Sequence, residues 1–380
     1  MNQDELKIAV VTSGRADWGL LHPLVSELSG RGVKLLIIAT YAHLFPEMGD
    51  TISELVDDGF PPTMSVPARR PRQEAVADAV TGFSMAFRYL RPDVAVVLGD
   101  RFEILGVATA AVLERTPLAH IAGGTVSEGA FDDAFRNAIS QMATIHLPET
   151  DKARRRLITA GADPRLTSTA GALGVYNALN TPLIPLKEFE SSLDFELGDK
   201  YLLGTFHPAT LSKLEPIPQM KIWIAGLEKA LDRHPDLKLL LTFPNTDNEP
   251  TSLLNLLFTL AASRRGRVKV VPSLGRVRYL TAAKHAAVVG GNSSSGIVEV
   301  PSLGVPVVDV GIRQQGRERA KSIIHTDLDA ESIADGISLA LTPEMREEAS
   351  RAVNPYFKAD TPSLMADFLI SEAEKLKKSR

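Results

Sequence analysis

Residues 288–306 read VVGGNSSSGIVEVPSLGVP. An apolar strand turns through Gly-Asn-Ser-Ser-Ser-Gly and enters a helix with Glu299 in its first turn. A strand feeding a helix through such a turn is the repeating step of a doubly wound α/β sheet. Amides at the start of a helix, with the hydroxyls of Ser293 and Ser294, suit an anion such as a diphosphate. A carboxylate does not, but Glu299 can accept two hydrogen bonds from a vicinal diol. A diphosphate beside a ribose diol is a nucleoside diphosphate. No G-x-G-x-x-G turn follows the first strand, so a nucleotide sugar fits better than a dinucleotide.

The same step recurs along the chain. Apolar runs at 7–13, 34–40, 94–100 and 118–123 alternate with helix-length segments such as 18–29, 73–91 and 101–114. Runs apolar at every position read as parallel strands buried on both faces. The pattern breaks over 173–199, where two prolines and many polar residues suggest a linker. It resumes at 201–206, 238–243, 268–272, 286–291 and 305–311. The expected fold is α/β, with two Rossmann-like domains facing a cleft. The first spans 1–180; the second spans 181–360 and contains the nucleotide-type turn at 291–299. Residues 361–380 are expected to form a helix packing back toward the first domain, with Leu364, Met365, Phe368 and Leu369 on one face.

Ligands in such sheets bind beyond the carboxyl ends of the strands. Arg15, after the first strand in TSGRADWG, reads either as an anion ligand at a helix start or as a surface arginine. Asp100, in LGDRFE, reads as a helix N-cap, as a base at the cleft mouth, or both. Glu128, Asp132 and Asp133 gather before a helix, where they either cap it or share acid and base work. His207, in TFHPAT, is a structural histidine or a ligand contact. Asn245 and Asp247, in FPNTDNE, repeat the choice with a turn as the alternative.

Composition narrows the function. Lys plus Arg number 42 against 46 Asp plus Glu, a net charge of −4, which argues against a nucleic-acid partner. No apolar run approaches the ~20 residues of a membrane span. The chain has no cysteine, which removes disulfides, thiolate metal sites and cysteine nucleophiles. The eight histidines are dispersed, and no metal site is expected. The polar, acidic start carries no visible signal peptide, so a cytoplasmic protein is expected.

Seven stretches then carry a resemblance. SGRADWG (13–19), GDRFE (99–103), HIAGG…DDAFR (120–136), FHP (206–208), FPNTD (243–247), GNSSSGIVE (291–299) and VGIRQQGRERAKSIIH (310–325) span nearly the whole chain. In this order they resemble the hydrolysing UDP-N-acetylglucosamine 2-epimerases of sialic-acid and legionaminic-acid pathways. The resemblance implies a GT-B arrangement and nucleotide contacts at Arg15, Arg101, Asn245, Ser293, Ser294 and Glu299. His207 and Arg313 match positions that hold the diphosphate or sugar, and His43 matches one facing the sugar. The backbone around Leu274 matches the segment that reads the uracil. Asp100 and Asp132 match catalytic acids.

The implied reaction eliminates UDP across C1–C2 and then hydrates the glycal to a free 2-epimeric sugar. It needs no cofactor. The partner is a UDP-linked sugar, and family members are commonly homodimers or homotetramers; the helical segment 73–91 is either such an interface or internal core.

The chain departs from the sialic-acid type at Ala122 and Thr125, which replace glutamates, and at Asn137, which replaces a histidine. The SEGAFDD form looks more like the legionaminic branch, whose sugar is a 2,4-diacetamido-2,4,6-trideoxy hexose. Glu128 is expected either to take part of the lost acid's role or only to cap the helix. A GT-B glycosyltransferase, a non-hydrolysing epimerase and a non-catalytic UDP-sugar-binding protein are the competing readings.

Overall fold

The computed structural model describes residues 5–45, 51–129, 131–244 and 251–379. The chain forms two compact units. The first contains the residues up to Thr125, Asp132–Tyr176 and those from Lys358 onward; the second contains Val126–Phe131 and Asn177–Phe357.

Six strands make the sheet of the first unit: β1 (Lys7–Thr12), β2 (Lys34–Thr40), β3 (Met64–Val66), β4 (Val94–Leu98), β5 (Leu118–Ile121) and β6 (Ile145–Leu147). Their order is β3-β2-β1-β4-β5-β6, all parallel. The pleat explains why these runs are apolar throughout. Ile8 and Val10 of β1 point into a core with Trp18, Leu21, Leu24 and Leu28. Ala9 and Val11 point the other way, into a core with Phe83, Phe87, Val107 and Ala111. Helices therefore cover both faces.

The second unit repeats the plan with β7 (Tyr201–Thr205), β8 (Lys238–Thr242), β9 (Val268–Val271), β10 (Val288–Gly291), β11 (Val307–Val310) and β12 (Ile323–Thr326). The order is β12-β11-β10-β7-β8-β9, again parallel. Leu202, Leu239 and Leu241 pack with Trp223, Leu227 and Ile333 on one face. Tyr201, Leu203 and Leu240 pack with Phe189, Leu193 and Leu280 on the other. In each sheet the strand order reverses beside the first strand, between β1 and β4 and between β7 and β10. Such a reversal opens a crevice at the carboxyl ends.

Four features differ from the sequence reading. The stretch taken as a linker contains two helices, Leu173–Asn180 and Leu186–Leu193, and Phe189 is fully buried. The chain changes unit between Tyr176 and Asn177, and returns between Phe357 and Lys358. In the helix Thr361–Lys378, Met365, Ala366, Leu369 and Ala373 are buried in the first unit's core, whereas Leu364 is 45% exposed.

The fourth difference is local. Val126–Phe131 groups with the second unit because its backbone is pinned there. Glu128 N donates to Gln315 O at 3.1 Å, and Leu211 N donates to Gly129 O at 3.4 Å. Arg317 Nη2 donates to the Ser127 hydroxyl at 3.1 Å. A side chain on Gly129 would come within 2.5 Å of the Ile312 carbonyl.

Gly291 closes β10 at φ 122°, and a Cβ there would lie 2.0 Å from the Thr205 carbonyl. Backbone strain and overpacking then combine, so Gly291→Ala should cost about 3 kcal/mol or more. Urea unfolding followed by the near-UV signal of Trp223 checks this; an unchanged midpoint would refute it.

Candidate active site

The first unit concentrates polar groups at the ends of β1, β2, β4 and β5. Gly14 precedes the helix Arg15–Ser29. Ser13 donates its hydroxyl to Asp17 Oδ2 at 2.5 Å, and Asp17 is 9% exposed. Arg15 is more than half exposed and pairs with Glu54 at 2.9 Å. His43 is enclosed, 2% exposed, with Nε2 2.9 Å from the Thr12 hydroxyl and Nδ1 2.9 Å from the Thr51 hydroxyl. Burial lowers its imidazole's pKa against the opposing pull of Asp17.

At the end of β4, Asp100 pairs with Arg136 of the helix Asp132–Met142. The N-cap of the helix Phe102–Leu113 is Arg101, with no side-chain cap, so Asp100 is directed at the guanidinium rather than at the helix. Arg136 is 3% exposed and also donates to Thr125 O at 2.9 Å and Asp133 Oδ1 at 3.2 Å. Asp132 opens the same helix. One buried cation thus joins the ends of β4 and β5 to the start of that helix. Arg101 Nε donates to Glu103 Oε1 at 2.5 Å, and Glu103 is fully buried. Burial raises the Glu103 carboxyl, with Arg101 opposing. His120, also fully buried, donates Nε2–H to Gly99 O at 2.7 Å and accepts at Nδ1 from the Ser140 hydroxyl at 3.0 Å. Desolvation pushes it down to about 4. The neutral ring therefore fixes the turn that presents Asp100. Ala122, beside this cluster, adopts φ 64°, a left-handed conformation uncommon for a residue with a Cβ.

The second unit holds the other candidates. Ser293 is the N-cap of the short helix Ser294–Val298, and Ser294 is exposed. Ser295 donates its hydroxyl to Glu299 Oε2 at 2.5 Å. Burial raises the Glu299 carboxyl, opposed by Ser295. Leu274 is 6% exposed and belongs to the core, so its backbone is what it can offer a ligand. His207 follows β7 and Arg313 follows β11; both reach Asn292, as developed below. Glu128 is exposed on the loop pinned to residues 315–317, its carboxylate above Gly316. Asn245 and Asp247 lie outside the described residues.

The structure therefore gathers Arg15, His43, Asp100, Arg101 and Asp132 around one sheet's carboxyl edge. It gathers His207, Ser293, Ser294, Glu299 and Arg313 around the other, with Glu128 in that same unit. Asp17, Glu103, Arg136 and Asn292 were not singled out from sequence, although each lies within a quoted motif. Among the described residues no group of His, Cys, Asp or Glu could hold a metal ion, and no helix is long and apolar enough to cross a membrane.

Burial and the neighbouring Arg313 guanidinium push the His207 imidazole down to about 3, so it is neutral at pH 7. The sequence resemblance expects a diphosphate beside it; such an anion would favour the imidazolium and raise its pKa, so that binding would take up a proton and tighten as pH falls. An anion at ~4 Å contributes about 4 kcal/mol at an effective dielectric of ~20, enough to return the ring toward its ordinary range. Calorimetry of UDP binding at pH 6 in two buffers of different ionisation heat should show greater proton uptake for the wild type than for His207→Gln. Equal uptake would refute the assignment.

Known proteins share this architecture. The family description "UDP-N-acetylglucosamine 2-epimerase" matches residues 26–370. The GDP/UDP-N,N'-diacetylbacillosamine 2-epimerase (hydrolyzing) of Campylobacter jejuni is 33% identical over 85% of this chain and 84% of its own. The UDP-N-acetylglucosamine 2-epimerase of Neisseria meningitidis serogroup B is 31% identical over 88% of this chain and 87% of its own. Among solved structures, a Neisseria meningitidis UDP-GlcNAc 2-epimerase bound to UDP-GlcNAc superposes with a TM-score of 0.82 at 16% identity, covering 96% of this chain and 100% of its own. That likeness is one of fold, the GT-B-like α/β architecture expected from the sequence. With the family description spanning most of the chain and a curated relative at 33% identity, this protein belongs to the UDP-N-acetylglucosamine 2-epimerase family.

Proposed function

We propose that the protein is a hydrolysing nucleotide-sugar 2-epimerase acting in the cytoplasm. Its substrate is a UDP-2-acetamido sugar, either UDP-N-acetylglucosamine or the UDP-linked 2,4-diacetamido-2,4,6-trideoxyglucose. A base removes the C2 proton, the C1–O bond breaks and UDP departs, leaving a C1=C2 glycal. Water then adds its hydroxyl at C1 while a proton reaches C2 from the opposite face. The free manno-configured sugar is a precursor suited to nonulosonic acid synthesis.

The observation that carries this reading is the Arg136 cluster at the end of β4. Its carboxylates, Asp100 and Asp133, adjoin Asp132 and Arg101, which supplies positioned groups able to take and return a proton at a sugar carbon. The curated relatives support the hydrolytic outcome and the choice between sugars. Those from Campylobacter jejuni and Legionella pneumophila carry the names of hydrolysing diacetylbacillosamine 2-epimerases. Proton NMR in D₂O with each UDP-sugar offered separately is the test. Release of UDP with a free sugar deuterated at C2 is expected, and the faster substrate identifies the natural one. UDP binding without turnover of either sugar would sink the enzymatic reading.

A homodimer or homotetramer goes with this reading. Met85 is 61% exposed, Tyr89 79%, Val112 52% and Leu113 63%. Arg88, beside Tyr89, pairs bidentately with Glu114, beside Leu113, at 2.7 Å, so the helix ends that carry these exposed apolar side chains lie side by side. An isologous contact with a second copy would cover them. Light scattering should give at least twice the monomer mass for the wild type and a smaller particle for Tyr89→Glu; a monomeric wild type excludes the contact.

A further inference from the structure

We infer that Asn292 is a positioning residue that sets His207 and Arg313 in one register for an anion. The inference rests on the reading that these two side chains meet the diphosphate. Asn292 is 2% exposed at the end of β10. Its Nδ2 donates to His207 O at 2.7 Å, and its Oδ1 accepts from His207 N at 2.7 Å. Its own backbone N donates to Thr205 O at 3.1 Å. Its carbonyl accepts from Arg313 Nη1 at 3.0 Å and from Gln314 Nε2 at 2.9 Å. One residue therefore ties together the segments after β7, β10 and β11.

The chemistry is particular to a carboxamide. His207 presents a backbone donor and acceptor together, and only Asn or Gln offers a complementary acceptor and donor on one planar group. Asp would place an acceptor against the His207 carbonyl, and Gln is longer by one methylene. With the His207 backbone held on both sides, the point from which its imidazole projects is tied to the end of β10 rather than left to the loop. Arg313 is oriented from the same residue, so the distance between imidazole and guanidinium does not depend on either loop alone. The frame continues to a buried anchor. Gln314 O lies 3.5 Å from Arg319 Nη2, which donates to Asp309 at 2.8 Å, and Asp309 is 1% exposed on β11. Preorganisation of this kind strengthens binding because fewer groups must be ordered when the anion arrives.

A double-mutant cycle on UDP affinity tests the inference. Isothermal calorimetry on the full chain would compare wild type, Asn292→Ala, His207→Ala and the double variant, with the melting temperature of each recorded. Asn292→Ala should weaken UDP binding by ~10-fold or more, the scale of about 1.4 kcal/mol. That loss should shrink to within about threefold when His207 is already alanine, because the residue acts through its neighbour. Equal UDP affinity in wild type and Asn292→Ala, with only the melting temperature lowered, would make Asn292 a strut of the fold and overturn the inference. Losses that simply add would do the same. A wild type that does not bind UDP would remove the functional reading and this inference together, which separates the two failures. If Asn292→Ala does not fold, Asn292→Ser, which leaves a hydroxyl at the Cγ position, carries the same cycle.

Discussion

Asp100→Asn is expected to lower turnover of the preferred UDP-sugar by ~10²–10⁴-fold, the usual share of a positioned acid or base. UDP affinity and melting temperature should stay near those of the wild type. The asparagine has the same length and branching, so the turn after β4 keeps its shape. Arg136 retains Asp133 and the Thr125 carbonyl, so the buried guanidinium is not abandoned. What disappears is an oxygen able to take or give a proton. The Asp100 side chain is 26% exposed, open enough to meet a substrate while held from behind. Single-turnover NMR with saturating enzyme separates chemistry from product release and reads the effect directly. A variant that releases UDP at the wild-type rate would remove Asp100 from the reaction.

Arg136→Leu should instead act on the fold. Removing one partner of a buried ion pair costs about 3–5 kcal/mol, because the remaining charges lose their counterion. Here the leucine would leave Asp100 and Asp133 without their shared cation, and the Thr125 carbonyl without its donor. Both carboxylates are about a quarter exposed, so water recovers part of the loss and the lower end of that range is expected. For a unit of this size each kcal/mol shifts the melting temperature by roughly 2–4 °C. Differential scanning calorimetry should show the loss, and Arg136→Lys should restore only part of it, since one ammonium cannot span three acceptors in a planar fork. A melting temperature within a degree of the wild type would mean that the cluster is solvated rather than buried.

The strands legible in the sequence are those whose two faces both meet helices. VAVVL of β4 alternates Val94 and Val96 into one core with Ala95 and Val97 into the other, so every position is apolar. β3, β6 and β12 were not legible. Each is a three- or four-residue edge strand, reading MSV, IHL and IIHT, and a run that short, interrupted by a serine or a histidine, offers no period to read. The region reads as a linker because Pro182 and Pro185 look like breakers; Pro185 is the N-cap of the helix Leu186–Leu193, where its missing N–H removes no intrahelical bond.

Site legibility divided in the same way. Residues at strand ends, such as Asp100, His207 and Ser293, could be placed from local pattern alone. The residues that orient them could not. Arg136 meets Asp100 across 36 positions and Asn292 meets His207 across 85, and one sequence carries no trace of such pairings. The loop Val126–Phe131 is the extreme case: Arg317 reaches Ser127 across 190 positions, so a segment flanked on both sides by first-unit residues belongs to the second.

The return of the chain at Lys358 has a consequence for biogenesis. Met365, Ala366, Leu369 and Ala373 complete the core built by Trp18, Leu21 and Leu24. During synthesis, β1 through β6 emerge early, but their outer layer lacks this helix until residues 361–373 have been made. The second unit, apart from its short loop, is continuous from Asn177 to Phe357, and it can close while the first still waits. Domains generally fold as units as they emerge. Here the unit begun first is the one completed last, and Trp18, Leu21 and Leu24 lack part of their cover in the interval.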